Sequence, residues 1–495
     1  MNTLPSAIYL CFAGSAAALV FGRRSAALAR RLALAFAVAA ALVVARAALD
    51  FAPAGELRTL TNAAWVPALG IRYHLAVDGI SLTLAVLTAI AAIAGILFSW
   101  NVTESAGEFF ALYLALLGAV YGVFLSENLF TLFVFYEIAI IPKYFLIARW
   151  GGGEREFAAM KLVLYSFAGS ALVLAGLLWA SAASGAHTFE LPALAAATRA
   201  LPGHVQVPLF ALVFVGFATL AGLFPLHSWA PDGHVAAPTA ASMLLAGVVM
   251  KLGAYGCLRV ALPLFPAGFH ALQGTIAVLA VIGILYAALV ALVQSDFKRV
   301  VGFSSVSHMG FVLLGVAAGT PRAVAGAVLQ MFSHGVLAGL LFGVVGRMVY
   351  DRTHTRDLAS LRMMGLGRLL PFAAASFAVA GFASMGMPGF SGFPAELMIL
   401  IGTWRYSPAL TLGAVIGIVL CAAFTLRALQ AGFLGGPPPA GAPVLPPITW
   451  PEKAGTCLLV AASVAVGLHP SLLLDWIEPA LHSALFLPVW PGAAP

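Results

Sequence analysis

Three ionisable residues stand inside apolar runs that would otherwise carry no charge. Glu137 lies in NLFTLFVFYEIAIIPKYFL, Lys251 in ASMLLAGVVMKLGAYG, and Glu396 in FASMGMPGFSGFPAELMIL. Lys143 follows Glu137 by six residues, and His308 (SSVSHMGF) and His334 (QMFSHGV) lie in two further apolar runs, each beside a serine, Ser307 and Ser333. A charged side chain at the centre of a bilayer costs about 2.5–3.5 kcal/mol even on the mildest scales, so such residues are functional by default. Low dielectric weakens the preference of carboxylates and amines for their charged forms, which lets them trade protons. An imidazole accepts a proton on one nitrogen and gives one up from the other. The set therefore has the chemistry of a proton relay. The competing reading of each is structural: a pair that only holds helices together or, for Lys143, a side chain that snorkels to an interface.

Composition says what must position these groups. The chain has 495 residues, of which 62% are hydrophobic and 9% charged, against about 25% charged in an average soluble domain. A soluble surface is excluded, and so is an outer-membrane barrel, whose alternating strands are far less apolar. At roughly 20 residues per span, the chain is an all-α polytopic membrane protein of about fourteen transmembrane helices. Apolar runs place them at 4–21, 32–49, 79–100, 108–126, 128–149, 157–184, 207–230, 238–262, 271–293, 297–318, 322–349, 368–403, 408–431 and 453–477. The first run lacks the basic flank of a cleavable signal.

Of the 25 Lys and Arg residues, sixteen (Lys298 among them) fall on odd-numbered loops, seven (Arg259 among them) on the other face, and two, Lys143 and Lys251, inside spans. The positive-inside rule makes the rich face cytoplasmic and puts both termini outside. The formal net charge of +7 is thus loop arginine, not a nucleic-acid footprint. Cys11, Cys257, Cys421 and Cys457 are too scattered for a metal or iron–sulfur site, and no phosphate-binding glycine motif is present. No cofactor or metal is expected in this chain.

Two spans are interrupted. The seventh reads GFATLAGLFPLHSWAPDGH around Pro225, and the twelfth carries Pro388, Gly389, Gly392 and Pro394. Broken helices in matching positions mark transport sites built from inverted repeats, although a single proline kink would be unremarked in a membrane helix. His227 and His234 flank Trp229 and Asp232 at the cytoplasmic end of the seventh span, as groups for proton uptake or as interface anchors. The segment YDRTHTRDLASLRMMGLGR reads as a solvated cytoplasmic face or a docking surface, and GGPPPAGAPVLPP as an extended connector.

Several stretches carry a family resemblance: VDGIS at 77–81, FYEIAIIPKYFLIARWGG at 135–152, PLHSWAPDGHVAAPTAASMLLAGVVMKLGAYG at 225–256, SDFKRVVGFSSVSHMG at 295–310, SHGVLAGLLF at 333–342, RTHTRDLASL at 352–361 and MPGFSGFPAELMIL at 387–400. The chain resembles the subunit M family of the proton-pumping NADH–quinone oxidoreductases (respiratory complex I), within the Mrp antiporter-like membrane subunits. Resemblance to the M type implies no long C-terminal lateral helix of the kind expected of the related L type. The resemblance implies two inverted five-helix repeats with two broken helices. The corresponding segments are 1–107 (three helices), 108–262 (spans 4–8), 263–431 (spans 9–13) and 432–495 (linker and last helix). It implies a proton path through Glu137, Lys251, His308, His334 and Glu396. Neighbouring L-, N- and K-type subunits are implied in a bacterial inner membrane, with NADH, FMN, iron–sulfur clusters and quinone held by partner subunits.

One departure stands out. The family places a lysine before the proline of its broken seventh helix, as partner to the fifth-helix glutamate. Leu220 occupies that position here, and no lysine lies between Lys161 and Lys251. Lys143 is the candidate compensating charge. Six residues of helix rise about 9 Å and turn about 240°, so it does not share a face with Glu137. The open alternatives are a cation/proton antiporter subunit, a membrane-bound hydrogenase subunit, and a non-conducting structural or coupling subunit.

Overall fold

The computed structural model describes residues 1–52, 55–438 and 444–490, so residues 439–443 of the Pro-rich connector lie outside it. Among the described residues, thirteen helices are long and apolar enough to cross a membrane. A broken pair, Pro371–Ser384 and Gly392–Tyr406, takes the place of the expected twelfth span. The spans sort by burial: the windows of Thr239–Leu264 and Pro321–Thr353 are 100% buried and that of Phe297–Ala317 is 94% buried, while those of Ala26–Leu49 and Pro408–Gly432 are 28% and 33% buried. The residues with relay chemistry thus fall on the innermost helices and on the helices that pack against them.

Small residues set the spacing of that centre. Gly247 and Gly335 meet where the eighth and eleventh spans cross, and a Cβ on Gly335 would come within 2.6 Å of the Gly247 carbonyl oxygen. Without a hydrophobic driving force in lipid, close backbone approach of this kind supplies the packing energy. It also brings Lys251 and His334, each about one turn or less from its glycine, face to face.

Four details depart from the sequence reading. The fold is that of a helical polytopic membrane protein, with one addition: Arg58–Val66 and Ile71–Val77 pair as an antiparallel hairpin, leading directly into Asp78, the N-cap of the third span. The last span is Trp450–Leu468, and Ser471–Leu481 is a separate short helix after His469 and Pro470. Arg259 is not a loop residue but lies fully inside the eighth span, and Lys298 is likewise buried. Removing one residue from each face leaves the basic asymmetry intact. Finally, the loop after the eleventh span is fastened down: Arg352 makes two bonds to Glu452, at 3.0 and 2.8 Å, and donates to the carbonyls of Pro446 and Pro447.

Candidate functional site

The eighth span is interrupted by a π-turn at Leu245–Val249, immediately before Lys251. Such turns loosen the backbone ladder and cluster at functional sites. The Ala246 carbonyl accepts from Lys251 Nζ, which is also 2.6 Å from His334 Nδ1. His334 stacks on His308, ring centroids 5.6 Å apart and 21° between planes. His308 Nε2 lies 4.0 Å from Glu396 Oε1. Four of the six residues singled out by sequence are therefore brought into one buried line, Lys251–His334–His308–Glu396.

His308 sits between two carbonyl oxygens, Ser304 O at 2.7 Å from Nδ1 and Ser384 O at 2.9 Å from Nε2. A neutral imidazole has one N–H and satisfies one of them; the imidazolium satisfies both. The site accommodates the ring with either one or two protons. Ser384 O faces the ring because the helix stops there: four residues on stands Pro388, which has no N–H to give. The break at 385–391 also makes room for Glu396. Gly386 has φ +77°, and a Cβ on it would lie 2.6 Å from Glu396 Oε2. Gln330 Nε2 donates to Glu396 Oε1 at 3.4 Å. The cavity shared by His308, His334, Gln330, Ser333 and Glu396 has a volume of about 10 Å³, the space of about one water.

Near the Lys251 end of the line stand two more residues: His234, a candidate uptake group by sequence, and Lys298, which sequence had left in a loop. His234 is neither exposed nor at an interface: it is wholly buried against Phe342, and neither ring nitrogen has a hydrogen-bond partner among the described residues. It lies within electrostatic reach of both Lys251 and Lys298. Lys298 Nζ donates to Ala237 O at 2.5 Å and Val235 O at 3.3 Å, carbonyls at the end of the short helix Trp229–Ala236. It lines a cavity of about 380 Å³ with Arg356, Asp351, Glu104 and Pro238. His227, by contrast, stacks on Phe224 and meets Tyr286 edge-on. The signal for Lys298 was its place two residues after the N-cap Asp296, which puts it in a helix and not in a loop.

Glu137 and Lys143 form a separate pair. The fifth span bends at Ala139 between Leu129–Ile138 and Ile140–Trp150. Glu137 neighbours Ser170 and leaves Oε1 without a partner, and Lys143 is 1% exposed with Nζ unpartnered among the described residues. The two make no ion pair but sense each other's charge. Tyr136 packs edge-on against Phe217, centroids 5.6 Å apart, one turn before buried Leu220.

Comparison with known proteins places this arrangement. The profile of the family described as "NADH:quinone oxidoreductase/Mrp antiporter, TM" matches residues 126–421. NADH-quinone oxidoreductase subunit M of Rhodobacter capsulatus is 36% identical over 97% of this chain and 96% of its own length. The chain belongs to the NADH:quinone oxidoreductase/Mrp antiporter family. Respiratory complex I of Thermus thermophilus contains a chain of similar structure, with TM-score 0.89, 29% identity, and coverage of 98% of this chain and 99% of that one. The Mrp complex of Dietzia sp. DQ12-45-1b shares the fold, with TM-score 0.83 at 20% identity over 99% of this chain and 98% of that one. Leu220, where the resemblance implies a lysine, is buried. It falls at the end of Gly203–Ala221, where Gly253 of the eighth span packs directly on the backbone of Phe217, Leu220 and Ala221.

Proposed function

We propose that the chain is a proton-translocating membrane-arm subunit of a NADH–quinone oxidoreductase, placed among L-, N- and K-type subunits in a bacterial inner membrane with both termini outside. The observation that carries this is the buried line Lys251–His334–His308–Glu396, running between two interrupted helices. A proton taken up from the cytoplasmic cavity passes Lys298 and His234 to Lys251. It then moves through His334 and His308, each accepting on one nitrogen and releasing from the other, and leaves by Glu396. NADH, FMN, iron–sulfur clusters and quinone belong to partner subunits in this reading. Quinone reduction there changes the charge at the end of the line and so drives each transfer.

Leu220 favours a second reading, in which the subunit couples or braces its neighbours without conducting. Purification of the native complex with identification of its subunits tests the assembly. Quinone-site and iron–sulfur subunits are the expected companions, and co-purification with cation/proton antiporter subunits alone overturns the proposal. The uptake route has its own test. His234→Leu fills the same buried space without a titratable nitrogen and is expected to assemble normally. Proton translocation in sealed vesicles should fall at least about tenfold, below the usual range for loss of an acid–base group because water can partly bridge the gap. Unchanged translocation would take His234 off the path.

A further inference from the structure

At the end of the eighth span remote from Lys298 lies a buried cluster that the relay does not use. The Arg259 guanidinium is 2.6 Å from Asp78 Oδ2 and 3.5 Å from Glu127 Oε2. Asp78 caps the third span, and Glu127 lies in the link 126–128 between the fourth and fifth. Both carboxylates are nearly inaccessible, at 3% and 2% exposure. Two carboxylates against one guanidinium leave an uncompensated negative charge away from water, which is costly. The cluster is balanced when one carboxyl holds a proton. Asp78 has its oxygens engaged, Oδ2 with Arg259 and Oδ1 accepting from Ser81 N at 2.9 Å. Glu127 Oε1 is buried with no partner among the described residues.

The cluster lies beside a partly exposed pair. Glu127 N donates to the His74 carbonyl at 2.9 Å, and the His74 ring bonds Glu190, which accepts from Asn128 at 2.9 Å. The His74 and Glu190 side chains are 12% and 19% exposed. Along the eighth span Lys251, Tyr255 and Arg259 recur every four residues, Arg259 lying in a second π-turn at Cys257–Ala261. Tyr255 itself is tied to Phe124 O at 3.1 Å.

We propose that Asp78, Glu127 and Arg259 form a proton-exchange site on the outer face, in which Glu127 carries the proton and stands next to the partly exposed His74–Glu190 pair. On release the proton leaves Glu127 Oε1 for water, and the cluster passes from neutral to one negative charge. An acid outer face reverses the step. The site's outer placement rests on the orientation proposed above; the cluster itself does not. Burial pushes Glu127 up to about 7, with Arg259 opposing and Asp78 assisting, and with His74 and Glu190 as weaker influences. Tyr255 is the remaining titratable group that faces it.

The test is infrared difference spectroscopy on the purified complex in vesicles whose outer face is accessible, as the pH on that face is stepped across neutrality. The expected result is a carboxylic-acid C=O band lost on alkalinisation with a midpoint of about 7. Glu127→Gln should remove the band. Asp78→Asn should remove it too, because Glu127 then pairs alone with Arg259 and stays ionised. Lys251→Ala should leave it in place, so a failed relay and a failed exchange site give different results. A wild-type complex with no such band, or a band that survives Glu127→Gln, overturns the proposal. If Glu127→Gln does not assemble, the wild-type titration and Asp78→Asn decide: a band that persists in Asp78→Asn overturns it.

Discussion

Lys251→Ala is expected to stop proton translocation by the assembled complex, with a fall of at least about a hundredfold, the lower end of what an acid–base group contributes. Lys251 is wholly buried, and its ammonium has two contacts, the Ala246 carbonyl and His334 Nδ1. It touches His334 and lies within electrostatic reach of His234, which in turn lies within reach of Lys298. Alanine leaves a cavity and breaks that junction, so Lys251→Met serves as the volume-matched control and should be equally inactive while packing well. Lys251→Arg makes the decisive comparison. A guanidinium keeps the positive charge and the hydrogen bonds but does not give up its proton in a protein. If Lys251 only held the eighth and eleventh spans together, arginine would restore function. If it carries the proton, arginine should be as inactive as methionine. Translocation measured as dye-reported acidification of sealed vesicles, with quinone reduction followed in parallel, separates the two. Wild-type pumping in Lys251→Met would take the lysine out of the path.

How far this site could be read from sequence depends on what kind of signal each residue gives. Glu137, Lys251 and Glu396 each break a long apolar run, and lipid makes such a break informative in a way that water does not. The interruptions of the seventh and twelfth spans were legible because proline and glycine act locally, through a missing N–H and a permitted positive φ. What was hidden depends on contact. His234 and His227 look alike in PLHSWAPDGH, yet one is sealed between Trp229 and Phe342 and the other stacks on Phe224. Only the packing of the eleventh span against the short helix Trp229–Ala236 distinguishes them. Arg259 and Lys298 were misplaced for a related reason. Both lie within a turn or two of a span end, where hydropathy no longer tells an inward side chain from an outward one, and their partners Asp78, Glu127, Val235 and Ala237 are remote in sequence. The hairpin at Arg58–Val66 and Ile71–Val77 was invisible because its apolar content is too low to stand out beside fourteen apolar runs.

Lys143→Met should separate stability from function at the place where this chain departs from its family. Lys143 is buried with Nζ unpartnered among the described residues, an arrangement that costs free energy with no local compensation. Methionine fills similar volume without that cost, so the variant should assemble and be more stable, by about 1–4 kcal/mol on the scale of buried charges replaced by apolar residues. If Lys143 supplies the positive charge that Leu220 does not, the same substitution should lower proton translocation about tenfold or more. Glu137→Gln should show the same loss, and the double variant should be little worse than either, because groups that act as a unit are not additive. The structure also offers a rescue. Leu220 lies one turn beyond Phe217, which packs on Tyr136 beside Glu137. Leu220→Lys therefore puts a cation back on the helix that faces the glutamate. In the Lys143→Met background it is expected to restore translocation, whereas in the wild type it adds a second buried cation and should only destabilise. Pumping unchanged in Lys143→Met would show that the missing lysine is not replaced by this one. The lower pumping of a coupling subunit would then be the native state of the chain.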